Sequence, residues 1–188
     1  MDALMAALVA AALAQIGDRS AWLAAILADR WRRPVLVIAM ALLALLCASA
    51  LAAIAGGLIG PRLSPNAQRL FLAAALLTQG VGAFVAARPP ERLNGWRVGP
   101  WLTSALGLFI LAFGDGAQFI VMALAARSPL PWLAAVGGTI GALAVIAPAA
   151  IMGEAAWRRL PLQRVRIVVG ILFVVVGAVL ALRALRLV

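Results

Sequence analysis

The sequence has no histidine, no lysine and no tyrosine, one cysteine, and only six acidic residues in 188. Without histidine, zinc centres of the usual kind and serine-type catalysis lose their central side chain. The lone Cys47 leaves no disulfide framework. Its place inside an apolar run reads as a small packing residue. All 16 basic residues are arginines, giving a net charge of +10. They form short clusters between apolar runs rather than a stripe, so nucleic acid is not an expected partner. Met1-Asp2 lacks the basic start of a secretory signal, and the first run is expected to stay as a helix.

What is present is hydrocarbon. Some 66% of residues are hydrophobic and the mean hydropathy is +1.10. Soluble domains sit near half apolar, so the lipid bilayer is the expected solvent. Six apolar runs cover approximately 3–28, 34–60, 67–87, 100–126, 131–156 and 166–187. Each is long enough for a spanning helix of roughly 20 residues. Pro and Gly clusters punctuate them, as at Gly60-Pro61 and Ser64-Pro65-Asn66. Trp31, Trp96, Trp101, Trp132 and Trp157 lie at run ends, as interfacial tryptophans do, whereas Trp22 does not.

The loops after runs one, three and five carry Arg30, Arg32, Arg33, Arg88, Arg92, Arg97, Arg158, Arg159, Arg164 and Arg166. The other side carries Arg62, Arg69, Arg127, Arg183 and Arg186. Ten against five places both termini outside by the positive-inside rule. The arginine-only, alanine-rich composition suggests a GC-rich bacterial genome, and the expected location is the bacterial inner membrane.

The chain also repeats itself. Ile16-Gly17-Asp18 aligns with Phe113-Gly114-Asp115, and at the same offset Pro34 meets Pro131 and Gly56 meets Gly153. With a two-residue slip, Gln68-Arg69 meets Gln163-Arg164. The expected fold is all-α: six transmembrane helices as two three-helix repeats, 1–90 and 100–188, joined by a cytoplasmic linker 91–99. Three is odd, so the halves are inverted, an architecture of transporters that bind substrate near the midplane.

Asp18 and Asp115 lie well inside spans one and four. A carboxylate there costs about 2.5–3.5 kcal/mol and marks an ion path, a proton relay or a structural pair. As repeat equivalents the two are expected to meet, and facing carboxylates repel unless a cation or proton lies between them. They are the expected metal ligands for a cation that is cargo; no resident cofactor is expected. Each follows a glycine, which eases helix breaking and frees carbonyl oxygens. Gln15 and Ser20 beside Asp18, and Gln118 beside Asp115, add oxygens; Thr78 and Gln79 are further candidates. Arg19 is a candidate charge partner. Glu154, four residues before Arg158, reads as a surface pair or a cytoplasmic gate. Pro148 is expected to kink helix five. Gly137 and Gly141, and Ala53 with Gly57, are spaced for close helix packing.

Gln15-Ile16-Gly17-Asp18-Arg19-Ser20 resembles the Glu-x-Gly-Asp-Lys/Arg-Thr/Ser motif of the Gdt family, relatives of transmembrane protein 165. Ala112-Phe113-Gly114-Asp115-Gly116-Ala117-Gln118 resembles its second copy. The resemblance implies a secondary transporter exchanging manganese or calcium for protons. Gln15 and Ala112 stand where that motif has glutamate, and Gly116 and Ala117 replace its second Lys/Arg and Thr/Ser. Four carboxylates have become two, which implies weaker cation binding. An exporter of another small solute, or a non-transporting homologue, stays open on sequence, as does a homodimer. An intramembrane aspartyl protease would also use two membrane aspartates, but its Gly-x-Gly-Asp motif lacks the outer glycine here.

Overall fold

The computed structural model describes residues 2–85 and 87–185; Arg186, one of the five arginines of the less basic side, lies outside them. The described chain is all-helical. It runs α1 (Asp2–Gln15), α2 (Arg19–Trp31), α3 (Pro34–Ile59) with a 3-10 turn at Gly60–Arg62, α4 (Pro65–Phe84), α5 (Gly99–Phe113), α6 (Gly116–Ala126), α7 (Pro131–Trp157) and α8 (Leu162–Ala184). The order of bent pair, long helix and third helix therefore occurs twice. Proline opens α3, α4 and α7, where its missing N–H is harmless. Ser64 caps α4 by accepting from Ala67 N at 3.2 Å.

Runs one and four are each two helices, not one. α1 and α2 meet at 67°, α5 and α6 at 64°. Gly17 has φ +73, a left-handed conformation that glycine adopts without penalty, and Asp18 follows in extended conformation at φ −80, ψ 161. No helical hydrogen-bond ladder continues through that sequence of angles. Asp115 is extended in the same way, at φ −85, ψ 146.

α3 with its terminal turn, α7 and α8 are each long and apolar enough to cross a membrane, and each bent pair reaches that length together. α4 has 20 residues and packs along α8, but Gln68, Arg69, Thr78 and Gln79 lower its apolarity. The outer surface is hydrocarbon: α8 alone exposes Val168, Ile171, Leu172, Val175 and Val179. Such a face needs lipid. Cys47 is exposed on this outer surface, so it is not the core packing residue expected from its apolar run.

Close packing follows the small residues. A Cβ at Gly137 or Gly141 would run into the backbone oxygens of Leu4 and Leu8, so α1 lies directly on the α7 backbone. α7 is interrupted at Gly153, φ 74 and ψ 172, rather than at Pro148. α8 begins four residues before the expected run, which puts Arg164 and Arg166 inside the helix rather than in a loop.

The two ends of the bundle are distinct. At one, Arg30 Nη1 donates to Leu93 O at 3.0 Å and Arg92 Nη2 meets Glu154 Oε1 at 2.7 Å. The loops after the first, third and fifth runs thus gather at one arginine-rich end. At the other, Gln68 Nε2 donates to Gly60 O at 2.9 Å, and Asp2 shares a cavity with Arg127 and Ser128.

Of three apolar clusters that the described residues form in the interior, two meet at the helix breaks. One joins α2, α3, α5 and α7 through Leu23, Leu27, Val37, Leu45, Leu108 and Ile146. The other joins α4, α6 and α8 through Leu72, Leu76, Ile120 and Phe173. Each bent pair passes from one cluster to the other at its break: Ala14 and Ala21 belong to different clusters, as do Ala112 and Ala117. Both aspartates therefore sit on the seam.

Candidate cation site at the two helix breaks

Asp18 is the N-cap of α2, and its Oδ2 accepts from Ser20 N at 3.0 Å. Asp115 is the N-cap of α6. Both are half-buried. The N-terminus of a helix carries partial positive charge, which favours a carboxylate there. The preceding helix ends, α1 and α5, leave carbonyl oxygens outside their ladders. Each break thus offers a carboxylate and backbone oxygens at one point.

The two breaks touch. Gln15 is fully buried, and its Nε2 donates to Asp115 Oδ2 at 3.3 Å across the two halves of the chain. The backbone N–H of Asp18 donates to Gln15 O at 3.1 Å, which ties the first break to the same glutamine. Gln15 Oε1 and Ser20 Oγ are buried with no partner among the described residues. Unpaired buried oxygens cost free energy unless something satisfies them. A cation between the breaks would.

Each aspartate faces its own cavity. Asp18 lines a space of about 260 Å³ with Gly17, Trp22, Trp157 and Arg158, at the arginine-rich end. Asp115 lines one of about 530 Å³ with Ala48, Leu51, Ala52, Gln118 and Phe119. Those α3 residues belong to its second half, away from the arginine-rich end.

The other expected residues divide. Gln118 lines the Asp115 cavity, but its Oε1 already accepts from Ser49 Oγ at 3.2 Å. Gln79 reaches the site: a Cβ at Gly116 would overlap Gln79 Oε1. Thr78 does not; its hydroxyl donates back to Ala74 O at 2.9 Å on its own helix. Arg19 is exposed and lines a cavity with Glu91, Leu93 and Trp96. It forms no ion pair among the described residues, so the structure does not make it the charge partner of either aspartate. Asp18 precedes the first turn of α2 in extended conformation, and Arg19, the first helical residue, is turned out to solvent.

Glu154 is joined to Arg158 at 3.8 Å and more closely to Arg92 at 2.7 Å. Its backbone N–H donates to Asp29 Oδ2 at 2.7 Å. Asp29 therefore caps the interruption in α7, a role not read from sequence although the first half alone has an acid at that repeat position. Ser49, the hydroxyl inside α3, carries no sequence signal either. No group of three or more acidic, cysteine or histidine side chains gathers among the described residues. The breaks offer two carboxylates with amide, hydroxyl and carbonyl oxygens, a hard-donor set of the kind that suits Mg2+, Ca2+ or Mn2+.

The family described as divalent cation/proton antiporter GDT1 matches residues 3–91 and 100–187. The chain belongs to this family. A protein of Vibrio cholerae serotype O1, described as a "Putative manganese exporter", is 31% identical over 183 residues, 94% of this chain and 89% of its own length. No solved structure matches. As a GDT1 family member the protein is a multi-pass membrane transporter of divalent cations, not an enzyme, and cations and protons are the substrates of its family. Family membership favours cation transport over export of another solute or a non-transporting homologue.

Proposed function

We propose that Asp18 and Asp115 form one cation site shared by two inverted repeats, 1–90 and 100–188, on either side of the linker 91–99. Gln15, Ser20 and Gln118 supply neutral oxygen. The cargo is Mn2+, exchanged for protons across the bacterial inner membrane, with both termini outside. The observation that carries this reading is the hydrogen bond from Gln15 of one half to Asp115 of the other. Contact between the two breaks is what a pseudo-twofold axis in the membrane plane requires.

The donor set suits a hard divalent ion, and among such ions the relative's description favours manganese. Two carboxylates balance a divalent ion, and its proton counterpart neutralises the same groups. Since the aspartates face separate cavities, the site is loaded from two sides, with Gln15, three residues before Asp18, bonded to Asp115. Arg30, Arg92 and Arg158, gathered at one end, support a cytoplasmic assignment for that end.

Purified protein in liposomes tests this. An outward Mn2+ gradient should drive opposite proton movement, read by a pH-sensitive dye inside the vesicles. Ca2+, which takes the same oxygen donors, serves as the comparison ion. Protein-free rates with every divalent cation would refute transport by this site.

A further inference from the structure

Arg166 is a charged residue beside the first break that no motif contains. It lies in the second turn of α8, against the first break: an ideal Cβ at Gly17 would be 3.6 Å from Arg166 Cβ. Its Nη2 donates to Gly82 O of α4 at 3.1 Å. Its Nη1 is buried and has no partner among the described residues.

α4 shows where that guanidinium sits. Gln79, whose Oε1 occupies the space beside Gly116, is three residues before Gly82. Residues three apart share a helix face, separated by about 4.5 Å of rise. Arg166 is therefore held about one helical turn along α4 from the Asp115-Gly116 break, while its stem covers the Gly17-Asp18 break. The first half has no such charge. The offset aligning Gln163 with Gln68 aligns Arg166 with Phe71, which packs edge-on against Phe119 at 5.2 Å.

We propose that Arg166 is a tethered counter-cation of the aspartate pair, a specificity-determining residue that opposes the divalent cargo and limits how tightly it is held. This rests on the site proposed above. A fixed positive charge repels a divalent ion twice as strongly as a proton at the same place. Two protons that neutralise both aspartates carry the same total charge as the cargo, so the arginine acts on how tightly the ion is held, lowering its affinity and keeping it releasable. With the motif glutamates replaced by Gln15 and Ala112, the pocket holds two acids, and one neighbouring arginine shifts its balance substantially.

The test is equilibrium Mn2+ binding to purified protein in detergent, with free Mn2+ read by electron paramagnetic resonance. Arg166→Gln, which can still donate to Gly82 O, should tighten half-saturation by about tenfold. Arg166→Met should do the same, and Arg166→Lys should stay within roughly twofold of wild type. A residue that only packs would weaken binding or lower yield when replaced, and would not tighten it. Unchanged or weaker binding in both neutral variants overturns the role of Arg166 while leaving the site standing. Absence of Mn2+ binding in the wild type overturns the site and this inference together.

Discussion

Asp115→Asn should reduce Mn2+-driven proton movement by roughly 100-fold or more, equivalent to about 2.7 kcal/mol. Asp18→Asn should do the same. Each change removes one of the two carboxylates that balance the ion, in a setting where charges interact far more strongly than in water. Neither should harm the fold. In Asp115→Asn the amide oxygen would still accept from Gln15, the contact now made to Asp115 Oδ2 at 3.3 Å. Asparagine is also as good an N-cap as aspartate, so in Asp18→Asn the Ser20 N–H keeps its acceptor. Removing a charge from mid-membrane relieves an insertion cost. The expected signature is full yield, an unchanged elution profile and lost transport. Retained flux in either variant would show that the pair does not carry the ion.

Gly153→Ala should be strongly destabilising. Gly153 has φ 74 and ψ 172, a region essentially confined to glycine. A Cβ there would also strike the Asp29 carboxylate, which accepts from Glu154 N. Strain and overpacking together cost about 2–4 kcal/mol. For a chain of this length the unfolding midpoint in detergent should fall by about 5–10 °C. Asp29→Ala should cost less, since it removes the cap without imposing strain. Gly82→Ala is the control, because nothing lies within 4 Å of its added Cβ. Equal midpoints for Gly153→Ala and Gly82→Ala would mean that the interruption in α7 is not built as described.

The parts legible in the sequence are those that break a pattern. Asp18 and Asp115 stand out because a carboxylate in a long apolar run has few explanations, and their shared glycine ties them together. The loops stand out for the same reason, being arginine and proline between hydrocarbon. Gln15 is legible as a site residue through its spacing from Asp18 and its place in the motif; its bond to Asp115 joins residues 100 positions apart, which no local pattern encodes. The 67° and 64° bends are not legible as angles. Glycine permits a break, but the tertiary packing of two apolar clusters on either side of it decides that one forms.

Where sequence and structure part, the causes are physical. Arg19 adjoins Asp18 in sequence, yet helix geometry turns it outward to the linker. Arg166 reads as a loop charge because the apolar run begins at it, whereas α8 starts at Leu162. Thr78 and Gln79 are indistinguishable by composition; only the rotation of α4 separates the hydroxyl that bonds its own helix from the amide that reaches Gly116. Asp29 sits at the end of a span, where an acid is ordinarily solvated, and its partner is 125 residues away.

Crystals or cryo-EM grids grown with Mn2+ would test the shared site most directly; for crystals, anomalous scattering identifies the metal. A single manganese peak is expected on the seam between the breaks, contacted by oxygens of both Asp18 and Asp115. A peak bound by one of them alone, with the other turned away, would contradict the shared site.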